Sequence, residues 1–269
     1  MVQEALRQID GWPTTAAAGV VTRERTWAHG PGGQAFRWAS VTKLLTAMAT
    51  LIAAEEGIVD LDEAAGPEGS TVRHLLSHAS GLPFEGELPI ARPGQRRIYS
   101  NVGFDLLGRL IAERAEMTFD GYLRAAVLQP LEMSGTRLDG GPSAGLHGPL
   151  DDLLLFAAEL LEPRLVADET LAEATTVAFP GLVGVIPDLG RFEPNDWGLG
   201  FELRDAKSPH WTGTRNSECT FGHFGGSGAF LWVDPAVGAA CASLADLQFG
   251  DWAKTAWPRL SDSVVAELP

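Results

Sequence analysis

The residues that could do chemistry begin with Ser40 and Lys43, at the predicted start of an apolar-rich helix. Side chains at positions i and i+3 share a helix face, with Cβ atoms roughly 5–6 Å apart. The chain holds three lysines against seventeen arginines, and a lysine, unlike an arginine, can lose its proton when it is desolvated. A neutral Lys43 could accept the proton of Ser40 and make it a nucleophile. The alternative is that Ser40 caps the helix and Lys43 lies on the surface.

A second candidate pair, Tyr99 and Asn101, stands directly before another predicted helix. A phenol at the edge of a cleft can relay a proton to a leaving group, and a neighbouring amide can orient a carbonyl and an amine. The alternative is a helix N-cap formed by Ser100 or Asn101 beside a half-buried tyrosine.

A third candidate is the glycine-rich run 222–228, which contains His223, Gly225 and Gly226 and precedes a predicted strand. Glycine lets a backbone approach a substrate closely, and its N–H group can stabilise an oxyanion. A tight turn with a structural histidine would explain the same run.

Helices and strands must bring these groups together. Apolar runs and their spacing predict helices over residues 2–9, 41–56, 71–78, 102–116, 119–128, 150–162 and 251–268. β-Compatible runs predict strands over residues 14–21, 25–29, 199–204, 229–233 and 239–244, the last two joined by a hairpin turn.

This order of elements predicts an α+β fold, in which an antiparallel β-sheet is flanked by helices and carries an all-α insertion. Residues 1–56 and 196–269 would form the sheet domain, and residues 57–195 the helical domain. The candidate residues would lie in the cleft between the two domains, where binding sites commonly form.

Composition narrows the class of protein. Of 269 residues, 45% are apolar and 20% charged, which is typical of a globular protein. A formal net charge of −15 argues against nucleic-acid and anionic-membrane partners and favours a small-molecule substrate. Residues 1–8 lack the pattern of an export signal, which predicts a cytoplasmic location, and Cys219 and Cys241 are predicted to be reduced thiols.

In this order, Ser-x-x-Lys, Tyr-x-Asn and His-x-Gly resemble the motifs of serine β-lactamases and penicillin-binding proteins. The chain is more similar to the class C-like, β-lactamase-related serine hydrolases and esterases. The stretches 71–83, 93–99, 104–108, 130–136 and 144–153 look like parts of the same family. The resemblance implies a β-lactamase/transpeptidase-like fold and no metal or cofactor.

The resemblance also implies the role of each candidate residue. Ser40 would be the nucleophile, Lys43 its activating base, and Tyr99 a general base and acid. The oxyanion hole would consist of the backbone N–H groups of Ser40 and Gly226. The residues expected to bind substrate are Asn101, His223, Gly225 and Gly226.

One departure from the family bears on the substrate. His223 and Phe224 stand where β-lactamases and peptidases usually carry a lysine and a hydroxyl residue, and a neutral imidazole binds a carboxylate poorly. We therefore expect an ester or an uncharged amide. Alternatives are a β-lactamase or D-amino-acid peptidase with an anion-binding arginine from residues 204–215, or a catalytically silent ligand-binding relative.

A competing serine motif lies at residues 141–145, which match Gly-x-Ser-x-Gly. That motif requires a strand before the serine and a helix directly after it. The preceding residues are turn-like and Pro142 lies within the motif, so the sequence argues against Ser143 as a nucleophile.

Overall fold

The computed structural model describes residues 1–86 and 88–268 of the chain. The helices are α1 (Val2–Leu6), α2 (Thr42–Glu55), α3 (Val72–Leu76), α4 (Asn101–Arg114), α5 (Phe119–Leu123), α6 (Leu150–Leu161), α7 (Asp168–Ala174) and α8 (Asp251–Glu267). Single 3-10 turns cover Arg7–Gly11 and Ala39–Val41, and a π-helical turn covers Arg124–Leu128.

The strands form one large sheet and two small ones. The main sheet contains β1 (Ala16–Thr22), β2 (Thr26–His29), β9 (Glu202–Leu203), β10 (Phe221–Gly225), β11 (Ala229–Asp234) and β12 (Ala239–Ala245). The small sheets contain β3 (Phe36–Arg37), β4 (Arg97–Ile98), β5 (Arg137–Leu138), β6 (Leu146–Gly148), β7 (Gly184–Ile186) and β8 (Gly190–Phe192).

The predicted α+β fold with an antiparallel sheet is confirmed. The main sheet has the order β2-β1-β12-β11-β10-β9, and each pair of neighbours is antiparallel. Strands from the two ends of the chain meet in this sheet, because β1 pairs with β12 over its whole length.

One strand prediction is wrong in extent, because the run 199–204 forms a strand only at Glu202–Leu203. Residues 221–225, for which a tight turn was the alternative interpretation, form strand β10. Glycine disfavours a strand, but pairing with β9 and β11 on either side overrides that preference here.

The middle of the chain is less purely helical than predicted. Residues 57–195 contain five strands of two or three residues, β4 to β8, and such short runs show no alternation in sequence. Helix α6, from the same part of the chain, packs on β1, β11 and β12 of the main sheet. The division into two domains stays a prediction.

Helices cover both faces of the main sheet. Val20 and Trp232 pack in one buried cluster with α1 and α8, whereas their neighbours Val21 and Leu231 pack in another with α2 and α6. Successive residues of a strand point to opposite faces. Strands β11 and β12 are therefore buried at every residue and are apolar except at Asp234 and Ser243.

Helix α2 lies at the centre, with twelve of its fourteen residues buried. Its polar side chains need internal partners, because an unpaired buried polar group costs about 1–3 kcal/mol. Thr42 accepts a hydrogen bond from the backbone N–H of Leu146 at 3.0 Å, and Thr46 donates one to the carbonyl of Pro142 at 2.7 Å. The helix start is thereby attached to the segment 140–146.

Two smaller predictions can be compared with the structure. Cys219 is exposed, Cys241 is buried, and both are free thiols, as predicted. Over residues 1–86 and 88–268, no helix has both the length and the apolar character that crossing a bilayer requires.

The contact between α8 and the sheet is expected to provide much of the stability on that side. Trp257 is fully buried, with its ring centroid 5.0 Å from those of Phe230 and Phe249. Replacing a buried tryptophan by alanine typically costs about 3–5 kcal/mol, so Trp257→Ala should lower the free energy of unfolding by that amount in urea titrations. The half-buried Trp252 on the same helix provides the matched control, and equal losses in the two variants would contradict this account.

Candidate active site

Ser40 lies in the 3-10 turn that leads into α2, and its side chain is half-buried. The preceding residue, Ala39, has a φ of 46°, a left-handed conformation that costs a non-glycine residue about 1–3 kcal/mol and is found mostly at functional sites. Ser40 lines a cavity of about 130 Å³, the serine chamber. Other residues that line this chamber are Tyr99, Trp197, Glu202, His223 and Gly226.

Lys43 is completely buried at the start of α2, and its ammonium group is surrounded by oxygen atoms. Its Nζ lies 3.4 Å from Oγ of Ser40, 2.6 Å from Oδ1 of Asn101 and 2.9 Å from the carbonyl oxygen of Ser143. Desolvation lowers the pKa of Lys43 to about 7, although the Asp105 carboxylate acts in the opposite direction. The amine therefore exchanges its proton near neutral pH.

Asn101 is positioned by the first turn of α4. Ser100 caps this helix, since its Oγ accepts a hydrogen bond from the N–H of Gly103 at 3.1 Å. The N-cap predicted as an alternative is thus present, but Ser100 provides it, and the Asn101 side chain remains available to Lys43. Capping and a functional contact occur in adjacent residues.

The rejected Gly-x-Ser-x-Gly segment reaches Lys43 through its backbone. The N–H of Ser143 donates to Oδ1 of Asp105 at 3.1 Å, and the carbonyl of Ser143 accepts from Lys43. A Cβ atom at Gly108 would lie 2.3 Å from the Pro142 ring, so α4 and this segment are in direct contact. Sequence reasoning excluded Ser143 as a nucleophile but did not detect that its carbonyl lies beside the lysine.

Tyr99 stands between Lys43 and His223. The Nζ of Lys43 lies 4.8 Å from the centroid of the Tyr99 ring, and the phenol oxygen lies 3.2 Å from Nε2 of His223. Burial raises the pKa of Tyr99 well above its ordinary value, despite a hydrogen bond from Ser40 that lowers it. Tyr99 is therefore a neutral phenol at physiological pH.

The tautomer of His223 follows from its partners. Its Nδ1 lies 2.5 Å from the carbonyl of Phe224, an acceptor, so Nδ1 carries the proton. Nε2 must then accept a hydrogen bond from the Tyr99 hydroxyl. Burial, followed by the nearby charge of Lys43, lowers the pKa of His223 to about 3, so the imidazole is neutral.

Strand β10 runs against the turn that carries Ser40. A Cβ atom at Gly225 would lie 2.3 Å from the carbonyl oxygen of Trp38 and 3.2 Å from the backbone nitrogen of Ser40. Only glycine permits this approach. Gly226, the next residue, lines the serine chamber, so the two backbone N–H groups predicted to form an oxyanion hole belong to segments that lie against each other.

The sequence analysis missed Glu202, a buried carboxylate of β9 that lines the serine chamber. Its oxygens accept hydrogen bonds from His210 at 2.9 Å and Trp211 at 2.6 Å, and Lys207 lies 3.7 Å away. Burial alone would raise the pKa of Glu202, but these partners lower it to about 2. Lys207 is one of only three lysines in the chain, but its position in the sequence does not indicate that Glu202 lines the chamber.

A larger groove adjoins the serine chamber, with a volume of about 790 Å³. The two spaces share Phe84, Tyr99, Pro187 and Asp188. The sequence analysis considered an anion-binding arginine from residues 204–215, but the arginines that line this groove are Arg96, Arg97 and Arg191. The Arg97 guanidinium is committed to backbone carbonyls, among them Ser77 and Asn195.

Comparison with known proteins agrees with the family resemblance seen in the sequence motifs. The sequence model of the family described as Beta-lactamase matches residues 3–265. The crystal structure of a β-lactamase from Mycobacterium bovis is 51% identical in sequence, covers 98% of this chain and 99% of that one, and has a TM-score of 0.97.

Two further similarities are more distant. Penicillin-binding protein 4* of Bacillus subtilis is 26% identical over 136 residues, 38% of this chain, and the match spans 30% of that protein's length. EstCE1, a hydrolase with promiscuous acyltransferase activity, is 17% identical over 98% of this chain and 97% of its own, with a TM-score of 0.79. The latter likeness shows a shared fold.

The lowered pKa of Lys43 can be measured directly, because a chain with three lysines gives three side-chain signals after lysine-selective ¹⁵N labelling. The signal that disappears in Lys43→Arg should titrate with a midpoint near pH 7, with the ammonium form below and the amine above. A midpoint near the ordinary value of ~10.4 would contradict the burial argument.

The neighbouring carboxylate allows a sharper version of the same measurement. Asp105→Asn retains an oxygen that can accept from the Ser143 N–H but removes the negative charge that raises the pKa of Lys43. The midpoint should therefore shift to lower pH. Glu113→Gln, an exposed charge removal on the same helix, is the control and should leave the midpoint in place.

Proposed function

The chain belongs to the β-lactamase family of serine hydrolases, and we propose that it forms an acyl-enzyme at Ser40 and hydrolyses small esters or uncharged amides. The observation that carries this proposal is the buried amine of Lys43, 3.4 Å from the serine hydroxyl, with a pKa lowered to about 7. A base whose pKa lies near the working pH is the most effective one. We also propose a small-molecule substrate and a cytoplasmic location, as the sequence predicts.

Acylation would begin with transfer of the Ser40 proton to neutral Lys43. The Ser40 Oγ attacks the substrate carbonyl carbon, and the N–H groups of Ser40 and Gly226 stabilise the oxyanion. Tyr99 donates its phenol proton to the departing oxygen or nitrogen as the acyl bond breaks, and the proton held by Lys43 restores the phenol. The high pKa of Tyr99 suits an acid that must remain protonated until the leaving group departs.

Deacylation would use the same groups in reverse. Water attacks the ester bond to Ser40, its proton passes to the amine of Lys43, and the oxyanion again lies between the two backbone N–H groups. Collapse of the intermediate breaks the bond to Ser40 Oγ, which recovers a proton from Lys43. The products are the free acid and an unmodified enzyme.

The electrostatics of the serine chamber support an uncharged substrate. His223 is neutral, with a pKa lowered to about 3, and therefore supplies no positive charge to an anion. Glu202 adds a buried negative charge to the chamber wall. The shared fold with EstCE1 is compatible with ester chemistry.

Nucleophilic attack by Ser40 is testable with a short-chain nitrophenyl ester. Ser40→Ala should reduce kcat/KM by at least about 10³-fold, because the covalent route is removed, while circular dichroism remains unchanged. Ser134→Ala, an exposed serine outside the chamber, is the control. Activity of Ser40→Ala within a few-fold of the native protein would overturn the assignment.

Hydrolysis of β-lactams is the second candidate, favoured by the 51% identity to a protein described as a β-lactamase. A β-lactam carries a carboxylate, and the described residues that line the serine chamber include no cationic side chain, although Arg96 and Arg191 line the adjoining groove. We therefore expect turnover of a chromogenic cephalosporin to be at least about 100-fold slower than turnover of the nitrophenyl ester, a difference of ~2.7 kcal/mol. Faster cephalosporin turnover that is lost in Ser40→Ala would reverse the order of the two candidates.

A catalytically silent relative is the remaining alternative. Its serine would not react with an activated phosphonate, whereas Ser40 beside a neutral amine should be labelled. Mass spectrometry of the labelled protein, with Ser40→Ala as control, separates a silent site from an enzyme with a narrow substrate range.

A further inference from the structure

The side groove, the cavity of about 790 Å³ next to the serine chamber, has mainly apolar walls, with Arg96, Arg97, Asp188 and Arg191 as its charged lining residues. Its lining includes Phe84, Ile90, Ile98, Val183, Val185 and Pro187. A volume of this size lies within the range of about 300–1,000 Å³ that small-molecule sites occupy, whereas the serine chamber of about 130 Å³ falls below it. A substrate larger than a few atoms must therefore extend into the groove.

The exposed apolar side chains of the protein are concentrated at the side groove. Nine large apolar side chains are exposed in the part of the chain that the structure describes, and four of them lie in residues 84–90 or on β7. Phe84 is 47% exposed, Ile90 56% and Val185 54%. A cluster of exposed apolar groups is a feature of binding sites rather than of ordinary surface.

The position of Tyr99 indicates which part of the substrate enters the groove. Its ring lines both the serine chamber and the groove. In the proposed reaction, Tyr99 protonates the leaving group, and a proton donor must lie within hydrogen-bond distance of the atom it protonates. The leaving group therefore departs on the side where the groove opens.

Resting on the proposed function, we infer that the preferred substrates are esters of a small acid with an extended apolar alcohol, whose chain lies in the side groove. Burial of each CH₂ group on these walls favours binding by up to ~0.8 kcal/mol, about fourfold. The acyl group stays small because it must fit the serine chamber. In each turnover the bond from the carbonyl carbon to the alkoxy oxygen breaks, the alcohol leaves with the proton from Tyr99, and water releases the acid.

Two isomeric esters test this inference. Octyl acetate and ethyl octanoate have the same atoms and similar hydrophobicity but place the long chain on opposite sides of the carbonyl. We expect kcat/KM, measured by acid release below the solubility limit, to be at least about tenfold higher for octyl acetate. Ethyl acetate, which has no chain to fill the groove, should also be a poorer substrate than octyl acetate by at least about tenfold.

A charge placed on the groove wall supplies the structural control. Val185→Asp should lower the preference for octyl acetate over ethyl acetate by at least about fivefold, because its carboxylate opposes an alkyl chain. Val237→Asp, at an exposed valine of the β11–β12 turn, is the matched variant and should not alter the preference. Ile90→Asp repeats the test on the facing loop if the first variant does not fold.

Several outcomes would overturn the inference. A preference for ethyl octanoate that Val185→Asp removes would place the acyl chain in the groove instead. Turnover of ethyl acetate with no chain preference would exclude the groove as a substrate site. Conversion of a dimer into a monomer by Val185→Asp, with the preference unchanged, would identify the apolar cluster as a subunit interface. Failure of all three esters together with failure of phosphonate labelling would refute the proposed function itself.

Discussion

The structure depends on the burial of one ammonium group among oxygen atoms that carry no full charge. Lys43 contacts a hydroxyl, a side-chain amide and a backbone carbonyl. The Asp105 carboxylate makes no hydrogen bond to Lys43 and raises its pKa only through its charge. These partners stabilise the ammonium form less than an ion pair would, so desolvation prevails and the amine is released near neutral pH. The three contacts come from three different segments, and their geometry requires α2, α4 and the segment 140–145 to meet at one point.

The groups around Lys43 also place little net positive charge in the serine chamber. His223 is held neutral by burial and by the nearby charge of Lys43, and its Nε2 presents an acceptor to Tyr99. Glu202 is ionised, and its charge is stabilised by Lys207 and by the donors His210 and Trp211. A chamber with a neutral base, a neutral phenol and a neutral imidazole favours a polar but uncharged reacting group.

Much of this arrangement was predictable from sequence. The apolar spacing of long helices such as α2, α4 and α6 predicts them from sequence. The serine, lysine, tyrosine and asparagine lie at or next to the starts of such helices, so the helix pattern and the candidate chemistry are found in the same short segments. The contacts that the sequence could not predict join residues that are far apart along the chain. Glu202 reaches the chamber only through strand pairing, and the carbonyl of Ser143 carries no side-chain signature.

The main-chain contact to Lys43 does not depend on the side chain of the residue that supplies it. Since the acceptor is a carbonyl oxygen, the residue type at position 143 can drift without removing it. The contact depends instead on the backbone course of the loop. A side chain at Gly108 would collide with the Pro142 ring at 2.3 Å, and one at Gly145 would meet the backbone of Gly140 at 2.6 Å. The environment of the lysine thus depends on glycines that do not contact it.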